Sequence, residues 1–343
     1  MQLPKEVYEI IITSQPEAAV IALGEIQKLD PNARGVKLSA ETQLVAIPKG
    51  YTKIINNLRQ TIFIRHVFPV YDKFSANINN MAQRLAELCA DMPAHEAFSI
   101  QMRSASRDSA RIDAPLLIKE TEQSLTSAGF VCDDKAPVWV LSLCITDDEI
   151  FAGVSYCKDN LSSWSGGAHR LKKSGQFISR AEFKLQEAIS AFEIDIFGNA
   201  NKTSAVKALD LGAAPGGWTK ILLEHGLHVT AVDPAALSEI IIDHPRLLHV
   251  RDTAQKFRGE AGAFNFITND MRMDMTESCK IMLGLAPLLS GGGAVLMTLK
   301  LSQGQWFKKT NRALSVLKKK YDVLNVRQLF HNRSEVMVYM KLR

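Results

Sequence analysis

The chain has 343 residues, 46% of them apolar and 22% charged, with a net charge of +5. At roughly 100–200 residues per domain this predicts two or three domains with sizeable cores, and it excludes a disordered chain and a fibre. Apolar runs such as Val138–Leu141 fall far short of the ~18 residues of a membrane span, and Lys5, Glu6 and Pro16 break any secretory signal pattern, so a cytoplasmic protein with no membrane partner is expected.

Tyr8–Thr13 alternates as a strand, Glu17–Leu29 has helical periodicity, and Thr42–Ile47 and Thr61–Val70 read as further strands. The spacing of Ile78, Met81, Leu85 and Leu88 predicts an amphipathic helix over Ala76–Cys89. A strand at Phe98–Arg103, a helix at Pro115–Ala128, and strands at Val138–Ile145 and Glu149–Tyr156 joined by an Asp147-Asp148 turn follow. Together these suggest two βαβ-like units on one small sheet. A segment rich in Ser, Gly and basic residues, Asn160–Gly175, reads as a linker.

Charge changes there. Residues 1–167 hold 16 Lys and Arg against 20 Asp and Glu, whereas residues 168–343 hold 25 against 16. A basic second half points to a polyanionic partner, with nucleic acid the first candidate. The five cysteines (Cys89, Cys132, Cys144, Cys157, Cys279) form no CxxC pair. They lack the pattern of a zinc ribbon and are expected to act as small core side chains.

The second half alternates regularly. Strands are expected at Val206–Leu211, His228–Val232, Leu247–Val250, Phe264–Asn269 and Gly293–Leu299, with helices at Gly217–His225, Asp274–Leu289 and Gln303–Lys319. Val323–Leu329 and Glu335–Leu342 close the chain as a hairpin. The fold class is therefore α/β, with a parallel sheet covered on both faces.

Open parallel sheets bind ligands beyond the carboxyl ends of their strands. Here those ends read Asp210-Leu-Gly-Ala-Ala-Pro-Gly-Gly-Trp218, Asp233, Asp252, Asn269-Asp270 and Lys300, and an antiparallel last strand returns Glu335 to the same edge. Gly212, Gly216 and Gly217 do not make the GxGxxG dinucleotide fingerprint. Asp233 is spaced to accept from two ribose hydroxyls, Asp252 from an adenine amino group, and Asp210 to orient a loop facing an α-amino group. A ribose, an adenine and an amino acid together describe S-adenosylmethionine. Ser179 and Glu182 form a capping box opening a helix with an apolar stripe of Ala181, Leu185, Ala188, Ile189 and Phe192, and Lys184 lies at the edge of that stripe. Taken singly, Lys184 is also a snorkelling lysine, Asp270 a helix N-cap and Lys300 a solvated strand end. At one sheet edge they make a cluster.

Asp210–Trp218 followed by His228–Asp233 resembles the FtsJ/RrmJ-like RNA ribose 2′-O-methyltransferases over residues 175–343, most closely those acting on a cytidine of 23S ribosomal RNA. Ser179-Arg-Ala-Glu-Phe-Lys184-Leu, Asn269-Asp270-Met, Thr298-Leu-Lys300-Leu and His331-Asn-Arg-Ser-Glu335-Val are similar to the family's Lys-Asp-Lys-Glu segments. One departure is that Ser334 and Glu335 are adjacent where small members have one residue between them. The first half resembles a ferredoxin-like segment followed by a THUMP RNA-binding domain. The implied organisation is a ferredoxin-like segment at 1–72, a THUMP-like domain at 73–167, a basic linker and lysine-bearing helix at 168–200, and a Rossmann-like methyltransferase domain at 201–343.

The resemblance implies Lys184, Asp270, Lys300 and Glu335 as the catalytic set. The S-adenosylmethionine site would comprise Asp210, Gly212, Ala214, Pro215, Gly216, Gly217, Trp218, Asp233, Asp252 and Asp270, with no metal. Lys300 is the candidate general base and Lys184 its neighbouring cation. Arg170, Lys172, Lys173 and Arg180 are candidate RNA contacts, as are Lys308–Arg312 and Lys318–Lys320, with Trp164 or Phe177 stacking on a base. Asn269-Asp-Met-Arg272 lacks the Asn/Asp-Pro-Pro-Tyr/Phe pattern of amino-group methylation, and Cys279 falls inside a helix, away from where cytosine C5 chemistry needs a thiol. Ribosomal RNA is the expected partner, with transfer RNA an alternative. An idle RNA-binding or assembly factor and a nicotinamide-dependent oxidoreductase remain alternatives.

Overall fold

A computed structural model describes residues 6–75, 80–105, 112–172, 175–196, 206–302 and 304–343. The chain divides into two units, Met1–Ala168 and His169–Arg343. The first unit opens with β1 (Glu9–Thr13), α1 (Ala19–Leu29), β2 (Arg34–Lys37), β3 (Thr42–Ala46), α2 (Tyr51–Leu58) and β4 (His66–Pro69). Its four strands form an antiparallel sheet in the order β2-β3-β1-β4. The strand expected over Thr61–Val70 is shortened to β4. The Glu25 carboxylate accepts the N–H groups of Ile62 and Phe63 at 2.7 and 2.9 Å, so these donors are taken by a buried side chain rather than by a neighbouring strand.

A second sheet, not an extension of the first, combines β5 (Asp72–Ser75), β6 (Ala97–Ser104), β7 (Val131–Cys132), β8 (Trp139–Ile145) and β9 (Glu149–Tyr156) in the order β5-β9-β8-β6-β7. Helices α3 (Met81–Leu88) and α4 (Ala114–Ser127) bury Leu85, Leu117 and Leu125 against it; Ile78 lies outside the described residues. Strand β8 is buried throughout because Ile11, Phe68, Cys144 and Phe151 join the two sheets in a second core. At Gly153 in β9 a Cβ would lie 1.7 Å from the Pro69 carbonyl oxygen, so only glycine lets β4 cross so closely. The expected linker is partly fixed in place. Asn160 is fully buried, Thr13 Oγ1 donates to the Gly166 carbonyl at 2.8 Å, and Ser165 Oγ donates to the Met102 carbonyl at 2.6 Å. Cys89, Cys144 and Cys279 are buried core thiols, but Cys132 is exposed and Cys157 half-exposed, because each lies at or beyond a strand end rather than on a packed face.

The second unit carries α5 (Ala181–Ala191), β10 (Lys207–Leu211), α6 (Gly217–Glu224), β11 (His228–Val232), β12 (Leu247–Val250), β13 (Phe264–Asn269), α7 (Met275–Leu285), β14 (Leu289–Lys300), α8 (Trp306–Leu317), β15 (Tyr321–Arg327) and β16 (Glu335–Leu342). The sheet order is β12-β11-β10-β13-β14-β16-β15, parallel through β14, with β16 antiparallel between β14 and β15. Strand order reverses between β10 and β13, the point at which such sheets open a crevice for ligands. Leu185 and Ala188 of α5, with Phe192 just past its end, pack with Ile221 and Leu222 of α6 and with sheet residues Ala208 and Leu296. Fully burying a leucine contributes about 1.5–3 kcal/mol, so Leu185 anchors the helix on which Lys184 rides.

The capping box is only half reciprocal. Glu182 accepts from the Ile178 and Ser179 N–H groups, while Ser179 Oγ reaches the Ala181 N–H. Glu182 turns its other oxygen to Lys220 at 2.8 Å. Among the described residues no helix is long and apolar enough to cross a membrane.

Candidate active site

Four charged side chains meet at the carboxyl edge of the second sheet. Lys300 ends β14 and Glu335 begins β16, and antiparallel register pairs them directly. Asp270 follows β13, and Lys184 reaches in from α5. Lys300 Nζ lies 2.5 Å from Asp270 Oδ1 and 2.5 Å from Glu335 Oε2. Lys184 Nζ lies 3.3 Å from Asp270 Oδ2 and 2.5 Å from Glu335 Oε1. Each ammonium therefore touches both carboxylates, and the set is neutral overall. The adjacency of Ser334 and Glu335 does not displace the glutamate.

Burial pushes the Asp270 carboxyl upward, but Lys300 and Lys184 outweigh it and hold the group below its ordinary value. Burial pulls the Lys184 ammonium downward, but Asp270 and Glu335 outweigh that and hold it above its ordinary value. Thr298 Oγ1 donates to Asp270 Oδ1 at 2.8 Å. Asp270 does not cap α7: Asp274 does, accepting from the Thr276 and Glu277 N–H groups.

Beside this cluster a cleft of about 760 Å³ runs along the strand ends. Asp210, Gly212, Ala214, Pro215, Trp218, Asp233, Asp252 and Asp270 all line it. Asp233 braces the loop, its Oδ2 accepting the Ala214 N–H at 3.1 Å and its Oδ1 the Ala235 N–H at 2.8 Å. Asp210 is buried below, accepting from Thr219 Oγ1 at 2.6 Å and Thr268 Oγ1 at 2.8 Å. Burial is the main cause that pushes its carboxyl up to about 6, partly opposed by the two threonine hydroxyls. At Gly212, with φ +71°, a Cβ would sit 2.7 Å from Met271 Cγ, so the loop needs glycine to close on the β13 edge.

Gly216 and Gly217, expected to touch the cofactor, do not line the cleft. A Cβ at Gly216 would lie 2.4 Å from Ile241 Cδ1, and one at Gly217 would lie 2.4 Å from Ser179 Oγ. Both glycines serve close packing, the second between α6 and the start of α5. Trp218 lines the cleft but is almost wholly buried, donating its indole N–H to the Ala181 carbonyl at 2.8 Å.

Among the candidate RNA contacts, Arg180 is exposed and lines the cleft. Arg170 and Lys172 are exposed but lie outside it, and Lys173 lies outside the described residues. Lys308 and Arg312 on α8 and Lys318–Lys320 beyond it are exposed, while Lys309 is half-buried and donates to Ser302 Oγ at 2.8 Å. Trp164 is exposed in the first unit. Phe177 is not a free platform: it packs on Phe183, centroids 5.2 Å apart, and Phe183 stacks on His331 at 5.2 Å.

Sequence reasoning missed Thr298, although residues 298 and 300 share a strand face and a period-two reading finds it. It also missed Gln255, Met271 and Arg272, cleft-lining residues beyond strand ends. Glu187 and Asn332, described below, left no local signal.

Residues 177–335 match the family model of the FtsJ-like methyltransferases. The chain is 25% identical over 299 residues to "Ribosomal RNA large subunit methyltransferase M" of Aeromonas salmonicida (strain A449), covering 82% of this chain and 80% of the relative. A protein of the same name from Xylella fastidiosa (strain M12) is 31% identical over 223 residues, covering 63% and 62%. Among solved structures, TrmN from Thermus thermophilus aligns over 98% of this chain and 99% of its own, with 14% identity and a TM-score of 0.39.

Proposed function

We propose that the protein, whose residues 177–335 match the family model of the FtsJ-like methyltransferases, uses S-adenosylmethionine as methyl donor to methylate a ribose 2′-hydroxyl of large-subunit ribosomal RNA. The observation that carries this reading is the two-lysine, two-carboxylate cluster beside the 760 Å³ cleft. The cleft fits the donor: its volume is that of a small-molecule site, Asp233 and Asp252 offer acceptors for ribose and adenine at one end, and Asp270 offers an anion at the other. When bound, the donor supplies an activated methyl group.

A ribose hydroxyl attacks only as its proton leaves. Lys300 first gives its ammonium proton to solvent and, as the free amine so formed, accepts the hydroxyl proton, general-base chemistry of a kind worth about 10²–10⁴-fold. Lys184 stays an ammonium, since Asp270 and Glu335 hold its affinity for the proton above the ordinary value, and it stays paired with both carboxylates throughout. Asp270 orients both lysines and presents negative charge to the cleft. Glu335 holds the lysines from the opposite side. Holding hydroxyl and methyl in line supplies much of the remaining rate.

The finer division of the first unit belongs to the same reading. Its four-stranded sheet suits a ferredoxin-like segment and its five-stranded sheet with α3 and α4 a THUMP-like, RNA-docking domain, in a protein working in the cytoplasm. The test is transfer of labelled methyl to deproteinised 23S ribosomal RNA, read as an alkali-resistant linkage. The full chain is expected to transfer. A fragment beginning at His169, rather than within the Gly166–Gly167 turn that packs in the first unit, is expected to bind the donor and lose most transfer to long RNA. Label appearing on bases instead of ribose overturns the reading.

Asp233→Ala is expected to weaken donor binding about tenfold or more, through lost ribose acceptors and release of the Ala214 N–H. Calorimetry reads this directly, and unchanged affinity would remove Asp233 from the site.

A further inference from the structure

Glu335 is useful to this site only if its carboxylate faces both lysines at once. The terminal torsion of a glutamate is broad and weakly preferred, and two long lysine side chains do not fix it. The turn leading into β16 does. Asn332 is fully buried. Its Oδ1 accepts the Leu329 N–H at 3.2 Å, while its Nδ2 donates to Glu335 Oε1 at 3.3 Å, the oxygen that also meets Lys184.

The turn itself is gripped from α5. Glu187, buried one turn beyond Lys184, accepts the Phe330 and His331 N–H groups, one on each carboxylate oxygen, both at 2.8 Å. At the other end of the turn, the Leu301 N–H donates to the Ser334 carbonyl at 2.8 Å and ties it to β14. One helix thus presents a lysine to Glu335 and a carboxylate to the backbone that carries Glu335.

We propose that Asn332 is a positioning residue for methyl transfer, fixing the Glu335 carboxylate between Lys184 and Lys300, with Glu187 holding the turn from which it acts. This rests on the reading of the four charged residues given above. An amide suits the task because it adds a short, buried donor without a third positive charge. Losing a hydrogen bond to a charged group is expected to lower transfer ~10–100-fold.

The experiment uses the full chain and its Asn332→Ala and Glu187→Gln variants. Three measurements are made on each: single-turnover transfer to a 23S ribosomal RNA transcript with saturating donor, donor affinity by calorimetry, and NMR titration of the lysine ε-carbons. Asn332→Ala is expected to bind the donor as the parent does, which shows the fold intact. It should transfer ~10–100-fold more slowly and titrate Lys184 at lower pH, because its partner is no longer held against it. Glu187→Gln keeps one acceptor oxygen and should move both readouts the same way by less. Should the alanine variant not fold, the glutamine variant carries the test. Parental transfer together with parental Lys184 titration overturns the proposal. Should the parent itself transfer no methyl to this RNA, the proposed function fails while the Lys184 titration still decides the role of Asn332.

Discussion

Lys300→Ala is expected to lower single-turnover methyl transfer by at least ~10²–10⁴-fold, the range for losing a general base, with the fold nearly unchanged. The reason lies in who remains paired. Without Lys300, Asp270 keeps Lys184 and the Thr298 hydroxyl, and Glu335 keeps Lys184 and the Asn332 amide. No carboxylate is left buried without a donor, so the large penalty for an uncompensated buried charge does not arise. Donor affinity is likewise expected to hold, because the negative charge facing the cleft stays. Lys300→Arg should fail almost as badly: a guanidinium remains protonated and takes no proton from a hydroxyl. Single-turnover transfer with saturating donor, with calorimetry in parallel, measures both variants. Turnover near the parent's in the arginine variant would exclude Lys300 as the base and leave it an electrostatic clamp.

Asp270→Asn is expected to damage both steps. The substitution keeps shape and removes the one anion that both lysines and the cleft share. Two ammonium groups are then left with Glu335 alone, the set becomes net positive, and a positively charged donor meets repulsion where it met attraction. Transfer should fall ~10²-fold or more and donor affinity should fall with it, the pattern that separates this variant from Lys300→Ala. Thermal stability should drop as well, since Asp270 offsets two partly buried cations. Normal donor affinity in the asparagine variant would place the donor's charge elsewhere in the cleft.

How much of this was legible beforehand depended on the range over which each feature is encoded. The β10–β14 alternation, the helices between the strands and the hairpin at the chain's end follow from local periodicity. Because a strand's last residue lies at the sheet edge, Asp210, Asp233, Asp252, Asp270 and Lys300 could be assigned to one rim from spacing alone. The antiparallel return of β16 brought Glu335 there too, and its register opposite Lys300 is the step that made the adjacency of Ser334 and Glu335 harmless.

Other features were set by contacts that no window of sequence contains. The glycine loop is legible locally, but that Ile241 and Ser179 stand where side chains at Gly216 and Gly217 would lie is not. Thr61–Arg65 has strand composition, but Glu25, 37 residues before Ile62, takes the Ile62 and Phe63 donors. Lys184 is 86 residues from Asp270 and Glu187 is 143 from Phe330, so neither side chain's partner is implied by its neighbours in the chain. The chemical groups at the sheet edge could be read from the chain because apolar period and turn residues are local and mark where each strand ends. Which of those groups touch depends instead on how α5 packs across the sheet and on where buried donors find their acceptors, neither of which a local window contains.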